Sequence, residues 1–309
     1  MIAGLIAGGL VVFLTEFGLL EFLGTLLEPI MRVLFKVPGK SAIDALSSFV
    51  CSPSVGVMIT DGLYRRGIYT DKEACSITTN FSIASLGGFA FLSGIAGVGH
   101  YYSQIVLSAF ILVFVVAAII IRIPPISKKE DKFYDGTIQS PEERKPGRYN
   151  KHVFSDAMAV GVEKAEDVGI WAFGVGLKSA FQFALKVPAY IVSLSVICLA
   201  IANYTPFAKY LGLPVEPILR LFRLPDAHII APTVLADFLA MSLPATLIAG
   251  KGVADISAFF VILLSTTQII FFTESANAML NSEMPLSFGD LVIIFLERTI
   301  ILMPMVALI

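Results

Sequence analysis

The feature that most constrains the fold is an apolar segment in the first half of the chain that is broken by a proline. Residues 41–50 form an apolar run, which stops at Cys51-Ser52-Pro53-Ser54 before hydrophobic residues resume. Proline has no backbone N–H and its ring clashes with the preceding turn, so a helix breaks near Pro53. The pattern predicts two short apolar helices that meet at this break and end at the charged turn after Asp61.

The composition places this broken segment in a lipid bilayer. Of the 309 residues, 56% are hydrophobic and 15% are charged, and the mean hydropathy is +0.83. Because soluble domains carry about 25% charged residues, the sequence predicts an all-α membrane protein with several spanning helices. The net charge of -2 gives no reason to expect a nucleic-acid partner. The cysteines lie far apart in apolar sequence, which favours buried thiols over a metal site.

A break at membrane depth exposes backbone groups that lipid cannot satisfy, so it must lie within protein or beside a watery cavity. We therefore predict that residues 41–66 form a re-entrant helical hairpin. The next apolar run, residues 71–98, has a polar middle and is predicted to be interrupted around Gly87-Gly88. Within it, Thr78, Ser82 and Ser85 have the spacing of one helix face. These hydroxyls are candidates for solute binding, or they hold packed helices together.

The second half of the chain repeats the first at one constant offset. The motif Glu28-Pro29-Ile30-Met31-Arg32 returns as Glu216-Pro217-Ile218-Leu219-Arg220, and Thr78-Thr79-Asn80 returns as Thr266-Thr267-Gln268. At the same offset, Ser54 matches Ser242 and Ser85 matches Thr273. A single ungapped offset that links separate features indicates an internal duplication.

The duplication defines the predicted domain organisation. Residues 1–123 form the first repeat, residues 124–177 a cytoplasmic linker with an amphipathic helix, and residues 178–309 the second repeat. Each repeat is predicted to contain a spanning helix, an interfacial helix, a re-entrant helical hairpin, an interrupted helix and a final spanning helix. Because each repeat then crosses the membrane an odd number of times, the two form inverted repeats. A parallel arrangement stays open, since Lys209, Arg220 and Arg223 would otherwise lie outside.

The order of elements, the Glu-Pro-Ile-x-Arg starts and the Cys-Ser-Pro-Ser tip resemble those of the Gate-domain (nucleoside-recognition) membrane proteins, most closely the YjiH-type members. The resemblance covers residues 1–309 and implies an inner (plasma) membrane protein of a bacterium. In the related concentrative nucleoside transporters, two hairpin tips and two broken helices hold solute and sodium. Those transporters carry Gln and Glu at the first tip, whereas this chain has Cys51-Ser52-Pro53-Ser54.

The candidate substrate-binding residues follow from the breaks, the repeated polar triplets and the resemblance. They are Ser52, Ser54, Thr78, Thr79, Asn80, Ser82, Ser85, Ser242, Thr246, Thr266, Thr267, Gln268, Glu274 and Asn277. Glu274 draws attention because it lies within an otherwise uncharged apolar span, and such residues usually face a partner or a cavity. Thr267, Glu274 and Asn277 are predicted to share a helix face. A buried structural carboxylate is the alternative for Glu274.

The predicted function is secondary transport of a small polar solute, with a nucleoside as one candidate, coupled to a sodium or proton gradient. Neither a P-loop nor a His-Glu-x-x-His or Gly-x-Ser-x-Gly motif is present, so no enzymatic activity and no cofactor are expected. One alternative is a ferrous-iron permease that uses Cys51, Cys75, Met58 and Glu274. Another is a membrane scaffold or regulator of the spore maturation type. A homo-oligomer is compatible with each of these functions.

Overall fold

The computed structural model describes residues 18–145, 153–166, 196–197, 200, 205 and 207–309. These residues form helices joined by turns, and β-structure in this part of the chain is limited to the isolated antiparallel bridges Thr70↔Phe133 and Lys132↔Ile138. The prediction of an all-α fold is confirmed. The start of the first predicted span and most of the predicted span 178–204 lie outside the described residues.

The helices with defined bounds are numbered in chain order. They are α1 (Leu19–Ile30), α2 (Ala42–Val50), α3 (Pro53–Arg65), α4 (Asp71–Phe81), α5 (Leu86–Ile95), α6 (Tyr102–Ile120), α7 (Val153–Glu166), α8 (Phe207–Gly212), α9 (Glu216–Leu221), α10 (Ala227–Ala236), α11 (Leu243–Ile248), α12 (Asp255–Thr267), α13 (Ser275–Leu280) and α14 (Phe288–Ala307). One order of elements occurs twice: two short helices, an interrupted helix and a long helix. It runs from α2 to α6 and again from α10 to α14.

Packing divides the described residues into two compact units. The first contains residues 18–82, 117–145, 153–166 and 278–286, and the second contains residues 83–116, 207–277 and 287–309. The first unit therefore holds the first pair of short helices and α4, while the second unit holds the second pair and α12. The predicted repeats, which end at residue 123 and begin again at residue 178, were defined by sequence similarity. The packing units are defined by contacts, so they do not test these boundaries.

Two described segments are long and apolar enough to cross a membrane by length and composition, Asp71–Ile95 and Gly99–Ile120. The second contains α6, which leaves several large apolar side chains exposed, namely Leu107, Phe110, Ile111, Val115 and Ile119. A soluble protein rarely exposes a contiguous apolar surface of this kind. The face is suited to lipid, which agrees with the predicted membrane protein.

Helix α1 differs from its predicted form. The sequence predicted that a separate interfacial helix starts at Glu28, but α1 continues through Pro29 to Ile30 and passes directly into a π-helical turn, Met31–Phe35. The bond from Arg32 Nε to Glu28 Oε1, 2.8 Å long, spans this junction. Helix α7, predicted over residues 152–167, is present over Val153–Glu166 and packs on α1, with a Phe22–Phe154 ring contact.

Helices α2 and α3 form an antiparallel hairpin that turns at Ser52. Thr60 Oγ1 donates to Asp44 Oδ1 at 2.9 Å, so residues equally distant from Ser52 face each other. Gly56 allows this close approach, because a Cβ there would lie within 3 Å of both Asp44 Oδ1 and Ser48 Oγ. The predicted break at Pro53 is confirmed, since Pro53 is the first residue of α3 and no helical hydrogen bond is lost there.

The second hairpin joins α10 to α11 through a longer tip, residues 237–242. Pro244 lies in the first turn of α11, as the repeat predicts. No glycine is present in either arm, and a small apolar cluster of Ala236, Ala240 and Leu243 fills the contact instead. The two hairpins therefore share their order in the chain but close through different side chains.

Both interrupted helices are present, but their breaks lie elsewhere than predicted. The first break covers residues 82–85, and Gly87-Gly88 lies inside the first turn of α5, where Ser85 Oγ accepts from Gly88 N at 3.2 Å. Ser82 and Ser85 are therefore not on one helix face with Thr78. The second break covers residues 268–274, where Gln268 is already extended with φ -74° and ψ 127°.

The first part of the linker packs against the base of the first hairpin. Glu73, only 3% exposed, accepts bonds from Arg32 and from Gln139 Nε2, the latter at 3.1 Å. Glu73 also forms a capping box with Thr70 at the start of α4. Burial, followed by the nearby carboxylates of Asp44 and Glu73, raises the pKa of the Tyr69 hydroxyl in this loop well above its usual value.

Candidate solute-binding site

The predicted first-half residues are distributed over the hairpin and the end of α4. Ser52 is half-buried at the hairpin turn, and Ser54 is buried in the first turn of α3. Thr78, Thr79, Asn80 and Ser82 are all fully buried in the last turn of α4 or directly after it. These six residues belong to the first unit, whereas Ser85 is half-buried at the start of α5 in the second unit.

Asp44 is the polar centre of the first hairpin. Its carboxylate, which is 0% exposed, receives the Thr60 hydroxyl at 2.9 Å and the Ser82 hydroxyl at 3.2 Å. Asp44 thus joins both arms of the hairpin to the first residue of the break after α4. Within the described part of the chain, no ion pair includes Asp44. A buried carboxylate is costly unless it is compensated, so this position is a candidate functional site.

Two serine hydroxyls in the first hairpin have no hydrogen-bond partner in the described structure. Ser48 Oγ lies one helical turn after Asp44 in α2, and Ser54 Oγ is at the start of α3. Both side chains are buried, with 0% and 2% exposure. Leaving a buried hydroxyl unpaired costs about 1–3 kcal/mol, so each is a group to which a bound solute could donate or from which it could accept.

The predicted polar triplet at the end of α4 is largely engaged with its own helix. Thr78 Oγ1 donates to Ala74 O at 3.1 Å, Thr79 Oγ1 to Cys75 O at 2.7 Å, and Asn80 Nδ2 to Ser76 O at 2.8 Å. The repeated triplet behaves in the same way, because Thr266 and Thr267 donate to Ile262 O and Leu263 O. These bonds support the ends of α4 and α12, and the solute-binding role of the triplets stays a prediction.

In the second unit, the hairpin tip is bonded to the break through the backbone. Phe272 N donates to Phe238 O at 2.7 Å, and Thr273 N donates to Leu239 O at 3.1 Å. Ser275 fixes the same break from the other side, since its hydroxyl bonds Ile269 O and accepts from Phe271 N. The non-helical backbone of residues 268–274 is therefore satisfied largely within the protein, as a break at membrane depth requires.

Arg298 stabilises the end of α12. It is fully buried in α14, where Nη2 donates to Thr267 O at 2.8 Å and Nε donates to Gln268 Oε1 at 3.2 Å. The C-terminal end of a helix carries partial negative charge, which favours a cation. Gln268 in turn donates to Thr299 Oγ1 at 2.8 Å. Gln268, a predicted solute ligand, is thus held on both its amide oxygen and its amide nitrogen.

Asp237 is a second buried carboxylate, at the end of α10 where the second tip begins. It is 1% exposed, and Ser265 Oγ lies 2.8 Å from its Oδ1. The same Ser265 Oγ lies 2.9 Å from Met241 O. Asp237 Oδ2 is buried without a hydrogen-bond partner in the described structure. Both hairpins therefore contact the interrupted helix that follows through an aspartate and a serine hydroxyl.

The remaining predicted residues lie around the second break and the second hairpin. Glu274 precedes α13 and is half-buried, so it does not share a helix face with Thr267 and Asn277, as the sequence predicted. The reason is that residues 268–274 are not helical. Ser242 is half-buried at the start of α11, and Thr246 is exposed with its hydroxyl bonded to Leu243 O at 2.8 Å.

Asp44, Ser48 and Asp237 were not predicted from the sequence as site residues. The signal for the two aspartates was present, because each is a lone carboxylate in an apolar helix, which is the criterion that selected Glu274. Of the cysteines, Cys51 is half-buried and Cys75 is buried, while Cys198 lies outside the described residues. Within the described part of the chain, no three His, Cys, Asp or Glu residues gather to hold a metal ion.

The first hairpin therefore holds two unpaired hydroxyls and a buried carboxylate, and the second hairpin holds a polar contact between Asp237, Ser265 and Met241. Hydroxyl and carboxylate groups in a fully buried cluster can exchange hydrogen bonds with the hydroxyl, amide or amine groups of a solute. The arrangement is suited to reversible binding.

Comparison with known proteins supports the family resemblance. Residues 4–99 match the model of the Gate family, which is described as nucleoside recognition. An uncharacterized protein of Alkalihalophilus pseudofirmus is 37% identical over 308 residues, which is 98% of this chain. The chain spans 65% of the length of that relative. No solved structure matches the chain. Residues 4–99 are therefore similar to the Gate family, and the described part of this range contains the first helical hairpin and the first interrupted helix.

Proposed function

We propose that this protein is a secondary transporter that carries a small polar solute across the membrane, with a nucleoside as the first solute class to test. In this proposal it is a YjiH-type member of the Gate superfamily and a multi-pass protein of the bacterial inner membrane. Its halves are inverted repeats with re-entrant hairpins, and a sodium or proton gradient drives transport. Assembly as a homo-oligomer is compatible with this scheme.

One observation carries the proposal: the hydroxyls of Ser48 and Ser54 are buried and unpaired in the hairpin that also holds the Asp44 carboxylate. A protein gains nothing in stability from such groups, since each costs about 1–3 kcal/mol while it is unpaired. A bound solute that hydrogen-bonds to them offsets this cost. The Gate match over residues 4–99, which includes both serines, supports a nucleoside as this solute.

Counterflow of labelled uridine into liposomes that contain the purified protein tests the proposal. We expect uridine to accumulate transiently in the wild type and the accumulation to fall at least about tenfold in Ser54→Ala, because one well-placed hydrogen bond contributes about 1.5 kcal/mol. Stability should not decrease, because Ser54 Oγ makes no hydrogen bond that is lost.

Ser93→Ala is the matched control. Ser93 is as deeply buried as Ser54, but its hydroxyl donates to Phe89 O at 2.7 Å. This variant should retain counterflow. Unchanged transport in Ser54→Ala would show that the first hairpin does not contribute to solute binding. A folded wild type with no counterflow of nucleosides or other polar solutes would favour the scaffold alternative, and ferrous-iron uptake under the same conditions would favour the iron permease.

A further inference from the structure

The polar contact at the second hairpin has too few hydrogen atoms for its acceptors. Ser265 has one hydroxyl hydrogen, yet its Oγ lies within hydrogen-bond distance of both Asp237 Oδ1 and Met241 O. Met241 O and an ionised carboxylate are both acceptors only. If Asp237 were ionised, its Oδ1 and Met241 O would have to share the single hydroxyl hydrogen of Ser265.

A proton on Asp237 removes this deficit. Asp237 Oδ1–H then donates to Ser265 Oγ, and the Ser265 hydroxyl donates to Met241 O, so both contacts of 2.8 and 2.9 Å contain a hydrogen. The unpaired Oδ2 becomes a carbonyl oxygen, which is less costly to bury than an unpaired carboxylate oxygen. We propose that Asp237 is a proton-binding site and that its proton is the coupling ion of the transporter. The second part rests on the proposed transport function.

No described cation forms an ion pair with Asp237. The helices packed against α10 are α8, α9, α11 and α12, and their ionisable groups are Lys209, Tyr210, Glu216, Arg220 and Asp255. His228 lies on α10 itself, and Glu274 follows the break that the tip contacts. Phe238 of the tip also packs on α14, whose ionisable groups are Asp290, Glu297 and Arg298. Among those whose side chains are described, none forms a hydrogen bond or ion pair with Asp237. A proton is therefore the simplest means of neutralising this carboxylate.

Asp44 provides an internal contrast. Thr60 and Ser82 each have a hydroxyl hydrogen that is directed to Asp44, with no competing acceptor in the described structure. Asp44 can therefore accept two hydrogens at once, and neither contact needs a proton on the carboxylate. Asp237 can accept at most one.

The proton step is balanced without any further reactant. When the second hairpin admits water, the Asp237 O–H bond breaks, the electron pair stays on the carboxylate and the proton passes to water. The Ser265 hydroxyl then turns from Met241 O to Asp237 Oδ1. Contact between tip and break through Phe238 O and Leu239 O links this exchange to movement of the hairpin.

Infrared spectroscopy of the liposome-reconstituted protein tests the protonation directly. The wild-type-minus-Asp237→Asn difference spectrum should show loss of a protonated-carboxyl C=O band, which shifts in D₂O. Loss of carboxylate bands instead would overturn the proposal. Ser265→Ala is a second variant that keeps Asp237, and here the band should move to higher frequency because the acid loses its acceptor. An unmoved band would contradict the hydrogen-bond chain.

Coupling is tested in the same liposomes with labelled uridine. An inward proton gradient should accelerate uridine uptake by the wild type at least about tenfold, and Asp237→Asn should lose this acceleration. Acceleration by a sodium gradient alone would overturn the coupling role. If the wild type transports nothing, the transport proposal fails, whereas the infrared result still decides whether Asp237 binds a proton.

Discussion

Each of the two hairpins is hydrogen-bonded to the interrupted helix that follows it, but the two use different groups to do so. In the first, side chains link the hairpin to the break: Asp44 bonds Thr60 in the opposite arm and Ser82 at the break. In the second, backbone carbonyls of Phe238 and Leu239 bond the break directly. A backbone contact depends little on side-chain identity, so the position of the second tip against its break is set largely by the main chain. The first leaves hydroxyls available for a ligand.

The repeated Glu-Pro-Ile-x-Arg motif shows a second difference between the halves. Both copies form the same ion pair one helical turn apart, Glu28–Arg32 at 2.8 Å and Glu216–Arg220 at 2.6 Å. The Arg32 side chain is only 9% exposed and also pairs with Glu73, whereas that of Arg220 is 69% exposed. Duplicated sequence therefore gives a buried network in one half and a surface ion pair in the other.

The largest expected effect distinguishes these two arginines. Arg32→Met leaves Glu73 and Glu28 without their cation, and breaking a buried pair costs about 3–5 kcal/mol. Arg220→Met removes an exposed ion pair, which is worth about 0–1 kcal/mol. Thermal unfolding of both variants in the same detergent measures the difference. Equal losses of stability would show that the two motifs are energetically equivalent and would remove this contrast.

A smaller effect is expected from two glycines on α3, the second arm of the first hairpin. Gly56→Ala places a Cβ against Ser48 Oγ and Asp44 Oδ1, and overpacking of this kind costs about 1–3 kcal/mol. Gly62→Ala meets no atom within 4 Å and should stabilise the helix by up to about 1 kcal/mol. Unfolding measurements should therefore give shifts of opposite sign. A stabilised Gly56→Ala would mean that the hairpin arms are not closed as described.

The break of the first hairpin could be predicted from the sequence because proline interrupts a helix whatever its tertiary surroundings. Pro53 breaks an apolar run, and the structure places it as the first residue of α3. The breaks at residues 82–85 and 268–274 contain no proline, and their positions depend on tertiary bonds such as Ser82–Asp44 and Thr273–Leu239. No local pattern encodes such bonds, which explains why the first break was predicted at Gly87-Gly88 instead.

The candidate site was predictable only in part, for the same reason. Ser54 follows from its place beside the proline break, but the unpaired state of its hydroxyl is a property of the packed hairpin. Glu274 was selected as a lone carboxylate in an apolar span, although that span is interrupted before it. Applied to every apolar helix, the same rule would also have selected Asp44 and Asp237. Their different hydrogen-bond partners could be seen only in three dimensions.

The most direct test of the central claim uses the native cysteine at the first hairpin tip. Cys51 is half-buried beside Ser52, and Cys75 is buried, so a variant with alanine at positions 75 and 198 leaves Cys51 as the labelling site. Maleimide labelling of this variant in liposomes is measured with and without saturating uridine. We expect uridine to slow the labelling of Cys51 at least about threefold and to have no such effect in Ser54→Ala. If counterflow shows that uridine is transported but Cys51 is labelled equally fast with and without uridine, this result would contradict a solute site at the first hairpin.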